Sequence, residues 1–173
     1  PSCPSSSSID TLSLVDLWHA VHAYRLDSLD PDAVQARLQD IPAFAAAQTA
    51  LQADGLYDVY CILGVQDALS LPLDDQIVQQ LSQLAFPWDG EDPVLFFGNV
   101  ELFCRIQSEY SLSLPLPDIP SEGFSQYAAA LEQQMASGEL DILNIRAYFA
   151  LRGHYPAQCP DIEDSLFSYL ETF

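Results

Sequence analysis

Twice the chain writes Asp-Pro directly ahead of a helically spaced apolar run, at Asp30-Pro31 and at Asp92-Pro93. An aspartate in that position accepts hydrogen bonds from the first unpaired amides of a helix. The proline that follows has a helical φ and no amide to satisfy. Asp10, Asp74, Ser121, Asp141 and Asp161 precede similar runs without the proline, and Gly55, Gly138 and Gly153 follow them as stop signals. A chain punctuated this way from end to end is committed to short helices.

The apolar residues agree. Leu14, Leu17, Trp18, Val21 and Leu26 recur at helical spacing after Asp10, and Val34 and Leu38 do so within 33–40. Pro42 opens an alanine-rich run over 43–53 that pairs with 33–40 as a helical hairpin. Ile77, Val78, Leu81 and Leu84 form one face of 75–85, and Val94, Phe97, Val100, Phe103, Cys104 and Ile106 one face of 94–110. Further helices are predicted over 124–136, 141–151 and 165–170. Two segments also satisfy a strand. Residues 56–69 are rich in β-branched and aromatic side chains, and Gly98-Asn99 would suit a hairpin turn within 94–106. Helix is preferred for 56–69, because an isolated strand would leave its ladder groups unpaired.

These elements make an all-α fold, a bundle or an array of helical hairpins with seven or eight helices. No repeat of fixed period marks a solenoid. Residues 1–9 read as a flexible leader without the basic start and apolar run of a signal peptide, and 10–173 as a single domain. Pro115, Pro117 and Pro120 make 112–120 an extended connector, the natural place for a seam.

The chain holds 25 acidic and 5 basic residues and a net charge of -20. Every cation is arginine. A hydrophobic fraction of 49% excludes disorder, since burial can offset the entropy of ordering the backbone. No apolar run approaches the roughly 20 residues that span a bilayer, and no basic patch is present to hold a phosphate backbone directly. A cytoplasmic location is expected, with secretion after removal of a signal as the alternative.

Four cysteines are too widely spaced for a zinc ribbon. Cys61 and Cys104 lie in apolar runs and read as small buried hydrophobes. Cys3 and Cys159 each precede proline in a polar stretch, and in an oxidising compartment they are the pair to test for a disulfide. In a reducing one all four stay thiols.

Asp16, His19 and His22 share one helix face, the beginnings of a metal site. A second helix carrying matching ligands is missing, so no metal or other cofactor is expected. Asp16 and His19 are expected instead to pair beside Trp18 while His22 packs. No serine elbow or phosphate-cradling loop occurs, and the paired carboxylates fall at helix starts, so no catalytic residue is assigned.

The loop Phe86-Pro87-Trp88-Asp89-Gly90-Glu91-Asp92 sets a large aromatic among three acids. Trp88 as anchor, with Asp89, Glu91 and Asp92 as an acidic rim, is the composition of a contact surface for a basic protein. Trp88 folded back on the core is the competing arrangement. Asp27, Asp30 and Asp32 form a second anionic patch.

At least twenty carboxylates have no cation in the chain to neutralise them (25 − 5 = 20). The preferred reading is an acidic interaction module that binds a basic protein, as an inhibitor, an immunity-type protein, a chaperone or a nucleic-acid mimic does. The alternative is a small-molecule or metal-binding helical enzyme whose acidity adapts it to its habitat.

Overall fold

The computed structural model describes residues 9–23 and 29–172. The described residues form nine α-helices and no strand: α1 (Leu14–Ala23), α2 (Pro31–Asp40), α3 (Pro42–Thr49), α4 (Leu56–Ala68), α5 (Asp75–Gln83), α6 (Pro93–Glu109), α7 (Ser121–Ser137), α8 (Ile142–His154) and α9 (Glu163–Leu170). The all-α expectation holds, but the count exceeds seven or eight. Both segments that also satisfied a strand, 56–69 and 94–106, are helical. None of the helices is long and apolar enough to cross a membrane.

Contacts group the chain into two compact units. The first gathers the described residues up to Ala85 together with Glu109–Leu114, and the second Phe86–Ser108 together with the residues from Pro115 onward. The sequence reading carries one domain over 10–173 with a seam in 112–120. The chain passes between units at 85/86, 108/109 and 114/115, the last of these within 112–120.

In the first unit α4 is the centre. Leu56, Val59, Cys61, Ile62, Leu63, Val65 and Gln66 are all buried, so the middle of the helix has no polar side, and its exposed residues, Tyr57 and Asp67, lie near the two ends. That all-round burial, with α1 and α3 packed against it, is why its period could not separate helix from strand. Asp30 and Asp74 cap α2 and α5 as predicted, Asp74 Oδ1 accepting from the Gln76 and Ile77 amides at 3.0 Å each. Asp74 Oδ2 also accepts from Gln48 Nε2 at 2.9 Å, which ties α3 to α5. Asp10 does not cap α1. Ser13 does: its Oγ accepts from the Asp16 amide at 3.2 Å and donates to the Asp16 carboxylate at 2.6 Å, a reciprocal cap that starts the helix three residues later. Gly55 closes no helix either, since α3 ends at Thr49 and Gly55 belongs to a 3-10 turn leading into α4.

The second unit has an aromatic core. Phe97 stacks on Tyr127 at 4.6 Å between ring centroids and meets Phe124 at 4.8 Å, and Phe124 meets Tyr155 at 5.0 Å. These rings bury large areas, one pair stacked and two tilted. Gly138, in the left-handed region at φ 73°, ends α7. Gly153 lies within α8, which runs on to His154, and α7 begins with Ser121 inside the helix rather than capping it. Buried Tyr148 fixes the approach to α9. Its hydroxyl donates to the Pro160 carbonyl at 2.9 Å and accepts from the Ile162 amide at 3.0 Å and from Arg152 at 2.9 Å.

Candidate acidic groove

Two apolar residues pin the loop ahead of α6. Phe86 meets Phe103 edge-on at 5.4 Å, and Trp88 meets Phe96 edge-on at 4.8 Å. Trp88 lies over Gly123, where an added Cβ would sit 3.3 Å from the indole, tighter than ordinary van der Waals contact, so a side chain there would push the ring away. Trp88 is thus not a projecting anchor; it is half-buried and folds back on the second unit's core.

With its first half held down, the loop turns its acids outward. Asp89 accepts from the Glu91 amide at 3.0 Å, Gly90 takes φ 79°, and Asp92 caps α6 through the Leu95 amide at 3.0 Å. All three carboxylates are exposed. Asp89 and Asp92 are held by the backbone, so their charge has a fixed place; Glu91 stands between them.

Two depressions, of about 480 and about 210 Å³, adjoin along the row Asp92, Leu95 and Asn99 on the first turns of α6, and together they make up the acidic groove. Asp89, Glu91 and Asp92 edge one end. Gly98 and Asn99 lie farther along, and Gln134 of α7 and Asn144 of α8 line the other end. Leu95 is 63% exposed in the middle of it. Ile142 and Leu143, at the start of α8 beside Asn144, are 65% and 63% exposed. Asn144 Nδ2 donates to Gln134 Oε1 at 3.1 Å.

Among the described residues, no arginine lines the groove. The second unit's arginines pair elsewhere: Arg105 and Arg146 with Glu101, the latter at 3.4 Å, and Arg152 with Asp161 and Glu163 at 2.7 and 3.1 Å. Arg152 and the Glu163 amide hold the Asp161 carboxyl down at about 2.

Of the second predicted patch, Asp27 lies outside the described residues, Asp30 is the α2 cap, and Asp32 is exposed in the first turn of that helix. Asp16 is bonded to Ser13. His22 stacks on Trp18 at 4.3 Å and bonds to the Trp18 carbonyl, while His19 meets the same ring edge-on at 5.0 Å. Among the described residues, no group of three or more His, Cys, Asp or Glu is placed to hold a metal.

Cys3 lies outside the described residues. Cys159 does lie in a loop but is buried there, 7% exposed, and burial pushes its thiol up to about 11. Cys61 and Cys104 are buried thiols as expected, at about 11 and about 12 for the same reason.

Leu95, Asn99, Gln134 and Asn144 were missed by sequence reasoning. One signal for Leu95 was present, a leucine out of phase with the Phe97, Val100 and Cys104 face of its helix. The amides come from three helices, and no spacing in the sequence relates them. Comparison of the chain with protein-family models, with curated proteins and with solved structures found no match.

Proposed function

We propose that the chain is an acidic interaction module and that this groove receives a basic segment of a partner protein. The observation that carries the reading is the exposed row Asp89, Glu91 and Asp92, its two aspartates held by the backbone, beside exposed Leu95 at a groove that no cation among the described residues lines. Carboxylates held in position attract a cationic partner over a Debye length, and the exposed leucine offers the apolar contact that charge alone does not supply. An inhibitor, an immunity-type protein, a chaperone and a nucleic-acid mimic would all use a face of this chemistry.

The variant Asp89→Asn, Glu91→Gln, Asp92→Asn removes the charge and keeps the hydrogen bonds, because asparagine caps a helix as well as aspartate does. Immobilised wild type is expected to retain basic proteins from a native extract at low salt and release them at high salt. The triple variant, with an unchanged melting temperature, is expected to retain none of them. Equal retention of the same proteins by the variant would refute the reading.

A further inference from the structure

Resting on that reading, we infer that the segment the groove takes is an extended peptide. Its backbone hydrogen-bonds to Asn99, Gln134 and Asn144, a lysine or arginine side chain meets the Asp89–Asp92 end, and an apolar side chain covers Leu95.

The argument starts from the carboxamides. Three of them, on three different helices, line the larger depression together with Asp92 and Leu95. A carboxamide carries a donor and an acceptor in one plane, as a peptide group does. A helical partner satisfies its own backbone internally and would make no use of them. An extended segment brings unpaired amides and carbonyls that must find partners once they leave water. The bond from Asn144 to Gln134 uses one group of each, so the Gln134 nitrogen and the Asn144 oxygen remain for a ligand.

Gly98 is the second observation. It lies inside α6 and lines the larger depression, and a Cβ added there would meet nothing within 4 Å. Glycine weakens a helix interior, and no neighbouring side chain in the fold requires its bare backbone. Open space over a bare backbone is what a second backbone needs to approach closely.

The lengths agree as well. Asp92 and Asn99 lie two turns apart, about 10 Å along the helix axis. An extended chain covers that in about three residues, and its side chains at alternate positions face one way. A basic residue over the acids and an apolar residue two positions on therefore both face the groove, with the following peptide group at the amides.

The test uses a fluorescein-labelled Gly-Arg-Arg-Ser-Leu-Ser-Gly peptide and the same peptide N-methylated from Ser to Ser, titrated against the full chain by fluorescence anisotropy. The plain peptide is expected to bind about tenfold or more tightly than the methylated one, the loss that one or two net hydrogen bonds produce. Gly98→Ala is expected to raise the melting temperature and to weaken the plain peptide by a similar factor. Equal binding of the two peptides, unchanged binding by Gly98→Ala, or no binding of the plain peptide up to millimolar concentration would each overturn the inference. If both peptides bind alike and both are lost with the triple amide variant, the acidic-groove reading stands and only the extended backbone falls. If binding ignores the triple variant, the acidic groove itself is refuted.

Discussion

Asp161 shows how a single exposed carboxylate can be committed to structure. Its hydrogen bonds from Arg152 and the Glu163 amide hold its pKa at about 2, below the ordinary 3.8. A carboxyl depressed on folding stabilises the folded state at pH above its unfolded value, and that contribution disappears as pH falls through the folded one. Asp161→Asn is therefore expected to be less stable than wild type at neutral pH, with the difference shrinking between pH of about 4 and about 2. Urea denaturation at a series of pH values checks this, and a pH-independent difference would contradict it. The sequence marks Asp161 as the cap of the last helix, but the cap position is Ile162; Asp161, one residue earlier, takes the Glu163 amide and pairs with Arg152, nine positions away on the preceding helix. Trp88 repeats the lesson. Its setting among acids was plain in the chain, but the turn of its ring onto Gly123 depends on where α7 passes.

The helices follow their start signals where the side chain has only its own helix to serve. Asp30, Asp74, Asp92 and Asp141 all accept amides of the helix they open. Asp74 is the most heavily used, since it also binds Gln48. Asp74→Ala is expected to cost about 1–2 kcal/mol for the cap and about 1 kcal/mol more for the lost Gln48 bond. Asp74→Asn is expected to recover most of the cap. Chemical denaturation of the three proteins decides it, and a loss within the error of wild type for Asp74→Ala would deny the cap its role. The misread signals carry the right residue type, but something else sets each boundary: Ser13 caps α1 in place of Asp10, α3 has already ended at Thr49 before Gly55, and α8 runs on past Gly153. The strand-like character of 56–69 was a symptom of burial on every side, which periodicity cannot register.

A net charge of -20 acts on stability and binding in opposite directions. Like charges crowd the folded state more than the unfolded one, and salt relieves them; the same salt weakens attraction to a basic partner. From about 0.01 to about 1 M salt the Debye length falls from about 30 to about 3 Å. Over that range the melting temperature is expected to rise while binding of the arginine peptide falls. Binding that strengthens with salt would separate the charge from recognition and favour habitat adaptation. Helical class, most helix starts, the inward faces and the anionic excess were all written in the chain, because each depends on residues within a few positions of one another. The division into two units, the burial of Cys159, the turning-in of Trp88 and the meeting of Leu95 with Asn99, Gln134 and Asn144 were decided by packing. Those features join residues tens of positions apart, and only the folded path of the backbone determines which distant side chains share a surface.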